Sequence, residues 1–478
     1  MTSTLLAPPA GRTGPGAPPL REPLAVRYAR QSGHRRLAAD ALYVAGWLAL
    51  VVPVAIWVSG GGLATFATFS GALKGVGILT GLVSTAAMVV MLWLSARVPV
   101  IDKTIGHDRA LALHGSLGQW VFGGLLAHGL FLVTAYALAD RLTLVAEFTS
   151  LLGVGDFALA IVAIVLLTAV AVSSVIAVKA KLPHEAWHAI HLVTYLAVLA
   201  SIPHQYSLSG LFASGAAFWY WTAMFVATFF VMLMFRVFLP VMVSLEHGLI
   251  VTRIVREADD VVSIEMTGRH LDDLGTRAGQ FFHWRFLAPG LWWHQHPFSV
   301  SAAPTGTTLR ITVRSLGAGT RRLLETLTPG TRVAIEGPYG LFSDAARTSP
   351  DVVAIGIGIG IAPVRALLEE TDFEPGHGTV ILRSSDADEA FLGHEVVELC
   401  RVRGARLAIL TGHRGVHPDG SATWLPATHA GLRLGDFANL ADADVYVCGP
   451  QAAADLVVAD AVAAGVGEER IHHERFAW

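Results

Sequence analysis

Six long apolar runs occupy the first half of the chain, near 38–60, 71–96, 110–138, 156–178, 184–208 and 213–240. As helices rising about 1.5 Å per residue, each reaches across a hydrocarbon core about 30 Å thick. Near Leu249 the pattern switches to short alternating stretches at 251–255, 261–266, 279–282, 309–314 and 332–336. Period-two alternation between turn signals predicts a small antiparallel barrel. From about Val352, strands such as Val352-Val353-Ala354-Ile355 alternate with helical segments, the pattern of an α/β domain. The predicted fold is multi-domain: a six-helix transmembrane bundle over 38–242, an antiparallel β-barrel over 248–345 and an α/β domain over 350–478. Residues 1–37 read as a disordered, basic N-terminus, rich in Pro, Gly and Ala at first and without the ordered regions of a signal peptide.

Composition and charge sharpen this picture in three ways. The chain has 478 residues and is 53% hydrophobic, too apolar for one soluble domain, and its net charge of −3 offers no footprint for nucleic acid. Both cysteines, Cys400 and Cys448, lie in the soluble half. Neither a disulfide framework nor a cysteine metal site is expected, and a reducing cytosol suits that half. Basic residues cluster from Arg21 to Arg36 and between alternate runs, at Lys103, Arg109, Lys179 and Lys181, whereas the opposite connections hold only Lys74 and Arg141 near their edges. The positive-inside rule then predicts a multi-pass protein of the plasma membrane with both termini in the cytoplasm.

His114 and His128 are fourteen residues apart in the third run, and His191 and His204 are thirteen apart in the fifth. Each pair spans roughly 20 Å of helix. Ligating side chains are costly inside a bilayer and mark functional sites. With both runs pointing the same way, His114 shares an inner level with His191, and His128 an outer level with His204. Two such helices can clamp two flat metal macrocycles, one above the other, and carry electrons through a membrane. Helix geometry raises one objection: fourteen residues return to within about 40° of the same face, but thirteen land about 140° away. Pro203, just before His204, is expected to kink the helix and re-aim that ring. Four separately satisfied polar residues are the plainer alternative, and His188, one turn from His191, is a rival for the inner position. His184-Glu185-Ala186-Trp187-His188 also matches the HExxH pattern of an intramembrane zinc protease, with two histidine ligands and Glu185 as base. A polar helix start explains it more simply.

The soluble half carries further motifs. His296-Pro297-Phe298-Ser299 lies among the barrel strands. Arg314-Ser315-Leu316-Gly317-Ala318-Gly319-Thr320 is a glycine-rich turn opening a helix. Such a turn offers backbone N–H groups and a positive dipole end to a pyrophosphate, or is simply a strand-to-helix loop. Gly356, Gly358 and Gly360 follow another strand and precede Pro363, which suits a first helical turn. Their spacing is not G-x-G-x-x-G. A second strand ends in Arg383-Ser384-Ser385, where a ribose 2′-hydroxyl binder would need a carboxylate. With Arg414 from the next strand's end, these residues favour a 2′-phosphate, although Asp386 and Asp388 stand close by. A late strand ends in Cys448-Gly449-Pro450, and the chain finishes Glu474-Arg475-Phe476-Ala477-Trp478.

Together these residues resemble the ferric reductase and NADPH oxidase superfamily over about residues 38–478. The resemblance implies two b-type haems between the third and fifth spans, ligated by His114, His128, His191 and His204. It implies an FAD-binding barrel and an NAD(P)-binding α/β domain like those of ferredoxin–NADP reductase. His296, Pro297, Phe298 and Ser299 would bind flavin, with Phe298 on the isoalloxazine and Ser299 near its reactive nitrogen. Arg314, Gly317, Gly319 and Thr320 would face the FAD phosphates. Gly356, Gly358, Gly360 and Pro363 would form the dinucleotide phosphate loop, and Arg383, Ser384 and Arg414 the 2′-phosphate site. Cys448, Gly449 and Pro450 would lie beside the nicotinamide. Phe476 best matches the terminal aromatic that covers the flavin, with Trp478 two residues beyond. Ser299, Cys448 and Phe476 are thus the expected residues at the reacting rings. Ala362 departs from the Thr or Ser common at its position, and no calcium-binding loop is present. The implied activity is transfer from cytosolic NADPH, or NADH, through FAD and two haems to an extracytoplasmic small-molecule acceptor: ferric or cupric ion, oxygen or a quinone. A transporter or channel whose reductase-like domain only senses the nucleotide is the alternative from another class.

Overall fold

The computed structural model describes residues 24–180, 184–386, 389 and 391–476, and for 24–32, 176–180, 184–185 and 475–476 the backbone alone. The sequence expectations for the first 23 residues, Lys181, Asp388 and Trp478 lie outside the described residues. The chain divides into two units: Ala39–Ile101 with Arg109–Val237, and Met1–Ala38 with Asp102–Asp108 and Phe238–Trp478.

The helices are α1 (Leu24–Ser59), α2 (Phe69–Ser95), α3 (Pro99–Ile105), α4 (His107–Asp140), α5 (Leu144–Leu151), α6 (Phe157–Ala180), α7 (His184–Ser207), α8 (Gly215–Leu233) and α9 (Leu239–His247). Among the described residues six helices are long and apolar enough to cross a membrane: α1, α2, α4, α6, α7 and α8 continued through α9. α3 and α5 stand where the apolar pattern predicts only connections, because two turns are too few to display a period. The Thr143 hydroxyl starts α5 by accepting from the Ala146 N–H at 3.2 Å. α7 stays helical through Pro203 to Ser207. Between α8 and α9 one π turn, Met234–Phe238, absorbs the entry of Pro240, which supplies no N–H to the ladder.

Small residues bring α2 and α4 together. A Cβ on Gly77 would lie 2.8 Å from the Leu132 side chain, one on Gly81 2.4 Å from the His128 ring, and one on Gly124 2.1 Å from the Ser84 hydroxyl. Gly77-Ile78-Leu79-Thr80-Gly81 is a G-x-x-x-G stretch, the pattern that lets membrane helices approach backbone to backbone.

In the other unit, β1 (Ile250–Ala258), β2 (Val261–Thr267) and β5 (Thr308–Arg314) form one antiparallel sheet, and β3 (Phe281–Phe286), β4 (His296–Ser299) and β6 (Val333–Tyr339) another. Instead of one continuous ladder, two isolated bridges link the sheet edges, Ile250 to Arg332 and Val300 to Ile311. Phe282, Trp284, Phe286, Ile264, Met266 and Ile311 fill the space between them. α10 (Ala318–Thr326) follows β5.

The α/β domain holds a parallel sheet in the order β13 (Ile471–Phe476), β12 (Ala443–Pro450), β7 (Asp351–Ile357), β8 (Gly378–Ser384), β9 (Arg406–Thr411). α11 (Ile361–Glu370), α12 (Gly393–Arg403) and α13 (Gln451–Ala463) accompany it, with a hairpin of β10 (Arg414–Val416) and β11 (Ala422–Pro426). The central strands β12, β7 and β8 are buried at nearly every position, as a sheet covered on both faces requires. Charged pairs join this domain to the β sheets: Arg310 donates twice to Glu395 at 3.0 Å, and Glu369 accepts from the Ala303 N–H at 2.6 Å.

Candidate functional site

In the helical unit the two α4 histidines are held by α2. The Nδ1–H of His114 donates to the Met91 carbonyl at 2.9 Å, and that of His128 to the Gly77 carbonyl at 2.8 Å. Met91 and Gly77 are themselves fourteen residues apart, so one antiparallel helix supports both rings in the same way. A donor role at Nδ1 leaves Nε2 with its lone pair, the tautomer a metal needs. The rings of His114 and His191 stand 6.0 Å apart between centroids. That separation leaves space for a metal ion between the two imidazoles. His204 lies within electrostatic reach of His128. Among the described residues the Nδ1 atoms of His191 and His204 are buried without a hydrogen-bond partner, while Trp187 packs on the His191 ring at 5.1 Å. At the His114–His191 level the side chains fit a group held between two imidazoles. His188 is exposed, and the side chains of His184 and Glu185 lie outside the described residues. Among the described residues no three His, Cys, Asp or Glu side chains converge as a metal site.

In the β sheets, β4 presents His296, Pro297, Phe298 and Ser299. The Trp284 indole donates to the Phe298 carbonyl at 2.7 Å and fixes that strand, while the His296 and Phe298 rings stack at 5.5 Å. The Ser299 hydroxyl donates to Glu474 at 3.4 Å. Glu474 sits on β13 directly beside Cys448 of β12, and the register places Pro450 against Phe476. Only the backbone of Phe476 is described. Burial, with Asp108 adding repulsion, holds the Glu474 carboxyl well above the usual carboxylate range, and the Ser299 bond acts in the opposite direction. Burial also pushes the Cys448 thiol up, with Glu474 and Asp108 adding to it. The Asp102–Asp108 segment reaches the same neighbourhood. His107 bonds to Asp102 at 3.1 Å, stacks on Tyr339 at 5.2 Å and meets Phe281 edge-on at 5.7 Å. Phe281 is the cross-strand partner of Ser299.

At α10, Gly319 lies next to His296, where an added Cβ would stand 3.4 Å from the ring. Thr320, expected at the phosphates, caps its own turn: its hydroxyl accepts from Leu316 and Gly317 N–H, both at 3.1 Å. Arg314, also expected there, is held by two carboxylates, Asp260 and Glu389, each at 2.7 Å.

In the α/β domain, Gly358 adopts φ +57° and turns the chain from β7 into α11. A Cβ on Gly360 would fall 2.0 Å from the Cys448 carbonyl, so this glycine serves close packing of the loop on the end of β12. Pro363 and Ala362 are buried in the first turn of α11. Arg383 is only 5% exposed, and donates to the carbonyls of Trp424, at 3.1 Å, and Ser384. Burial and the neighbouring Arg414 lower its pKa. Its guanidinium therefore joins β8 to β11, while exposed Arg414 stands open at the end of the hairpin. The Ser384 hydroxyl lies 3.5 Å from that of Thr411.

Residues 80–202 match the family model of the ferric reductase-like transmembrane component, and residues 248–343 match that of an FAD-binding domain. Over these two stretches the chain is similar to the ferric reductase and NADPH oxidase superfamily. Mouse (Mus musculus) NADPH oxidase 1 is 25% identical over 129 residues, covering 26% of this chain and 21% of that protein. A flavohemoprotein of Xylella fastidiosa is 25% identical over 240 residues, covering 48% of this chain and 58% of that protein. The chain thus spans less than two thirds of either relative. The flavohem-like FAD/NAD-binding domain of the Vibrio cholerae nitric oxide dioxygenase is similar over 48% of this chain and 98% of that one, with 24% identity and a TM-score of 0.39. The two matches and the six apolar helices indicate a multi-pass membrane protein with an FAD-binding domain. Glu474, Asp108, Met91 and Gly77 are absent from the residues the motifs single out. Only Gly77 carried a signal, in the G-x-x-x-G stretch.

Proposed function

We propose that this chain is a transmembrane oxidoreductase that takes electrons from NADPH at its soluble domains and delivers them to a small-molecule acceptor on the opposite face of the membrane. The flavin and two b-type haems supply, when bound, the conversion of a hydride into single electrons and their relay across the bilayer. The observation that carries the reading is the pair of α4 histidines, fourteen residues apart, each with its Nδ1–H tied to an α2 carbonyl. A structural histidine needs no such matched orientation at two levels, whereas a metal ligand does.

The protein's own part is positioning and insulation. His114 with His191, and His128 with His204, would hold the two haems, which would supply one-electron transfer. Phe298 would support the flavin face, and Ser299 with Glu474, whose carboxyl burial raises well above the usual range, would offer a hydrogen-bonding edge beside it. Gly360 and Gly449 let the ends of β7 and β12 pack closely where a nicotinamide would be held. Arg414, beside Arg383, supplies the positive field for a 2′-phosphate.

The test is NADPH oxidation by the purified full-length protein, with ferric chelate or oxygen as acceptor and superoxide dismutase as a control. Acceptor-dependent turnover in a preparation with a Soret band supports the reading. A protein that binds NADPH yet shows no Soret band would instead be a nucleotide-sensing transporter or channel.

A further inference from the structure

Two tryptophans stand out on the β sheets of the soluble unit. Trp292 is 62% exposed and Trp293 55% exposed. Two exposed indoles leave large apolar surfaces in water. The loop that carries them is tightly tied down. Leu291 is buried in the core, its N–H and that of Trp292 both reach the Ala288 carbonyl, and the Trp293 indole donates to the Gly290 carbonyl at 3.3 Å. Rigid, exposed aromatic rings of this kind are contact surfaces.

Their surroundings identify the occupant. From Trp293 a run of rings leads along the chain to β4: Trp293 to His294 at 4.5 Å, His294 to His296 at 6.1 Å, and His296 to Phe298 at 5.5 Å. Phe298 is the residue assigned to the flavin ring. Beside the middle of this run stands the N-terminal turn of α10, with Gly319 against His296 and Gly290 against Arg322. Arg321 and Arg322 are both exposed there. An aromatic support, then a helix N-terminus with two arginines, then a second aromatic support is the order of groups in an extended flavin adenine dinucleotide: isoalloxazine, pyrophosphate, adenine.

We propose that Trp293 is the stacking platform for the adenine of FAD, with the α10 N-terminus and Arg322 holding the pyrophosphate between the two rings. The inference rests on the flavin reading of Phe298 and Ser299 and adds the residue that selects FAD over FMN.

The test compares the two flavins on the full-length protein freed of flavin. Trp293→Ala is expected to weaken FAD roughly tenfold to a hundredfold, the range for losing one stacked base, and to leave FMN, which lacks the adenosine, within about twofold. Trp293→Phe is expected to restore most of the FAD affinity. Phe298→Ala is expected to weaken both flavins. Unchanged FAD affinity in Trp293→Ala, or equal loss of FAD and FMN, overturns the platform. Loss in Trp292→Ala but not in Trp293→Ala overturns the choice of ring. Wild-type protein that binds neither flavin overturns the flavin reading itself.

Discussion

Burial decides the chemistry of Glu474. Burial between β12 and β13, with Asp108 nearby, raises its carboxyl well above the usual carboxylate range. The folded pKa stands above the unfolded value of about 4.3, so the native state binds more protons. Stability from this group is complete below the unfolded pKa and is lost as pH rises through the folded one. Glu474→Gln keeps the shape without the charge. Its thermal unfolding midpoint should therefore fall less than the wild type's between about pH 5 and pH 8. Equal slopes for the two proteins would mean that Glu474 ionises normally. The two arginines at the nucleotide site divide differently. Arg383 is tied to the Trp424 and Ser384 carbonyls, so its loss should cost stability as well as binding. Arg414 is exposed and isolates the phosphate role. A charge-assisted bond is worth about 1.5–3 kcal/mol, so Arg414→Ala should raise the KM for NADPH roughly tenfold or more and leave that for NADH unchanged. Equal effects on both nucleotides would refute the 2′-phosphate assignment.

Among the elements, the α2–α4 contact is the one on which the histidines depend. Gly81 faces the His128 ring so closely that a methyl group would stand 2.4 Å from Nδ1. Gly81→Ala should push the ring off the Gly77 carbonyl. The expected result is loss or altered ligation of one haem, at the His128 level, with the His114 level intact. Two unchanged low-spin haem spectra in that variant would show that the ring has room to yield. The same contact shows what the sequence made legible. The fourteen- and thirteen-residue spacings and the apolar runs are properties of one helix at a time, so they could be read directly. The carbonyls of Met91 and Gly77 belong to a different helix, and only packing brings them to the rings. Likewise Glu474 looks like any strand-end carboxylate until the β12–β13 register sets it beside Cys448. Arg383 was visible as a strand-end cation, but whether it points to solvent or to backbone depends on β11, forty residues later. The partners that hold Thr320 and Arg314, a helix cap in one case and Asp260 and Glu389 in the other, are likewise set by packing and not by the motif.

At the scale of the whole chain, the proposal makes an ordered claim, because the two histidine levels are not interchangeable. The soluble domains follow α9 in the chain, and His114 comes seven residues after the start of α4 while His128 comes fourteen residues later still. If electrons enter at the His114–His191 level, the two kinds of ligand loss must differ. His128→Ala and His204→Ala should each remove one of two haems, leave the other reducible by NADPH, and abolish reduction of an external acceptor. His114→Ala and His191→Ala should each remove the other haem and leave the remaining one oxidised under NADPH, although dithionite reduces it. His188→Ala, exposed and one turn away, should keep both haems. The measurement is haem content by pyridine haemochrome, followed by reduced-minus-oxidised spectra with NADPH and then dithionite. If His188→Ala rather than His191→Ala empties the first level, the ligand assignment on α7 is wrong. If NADPH reduces the remaining haem equally well in both classes, electrons do not pass through the two levels in series, and the transmembrane relay fails as an account of this protein.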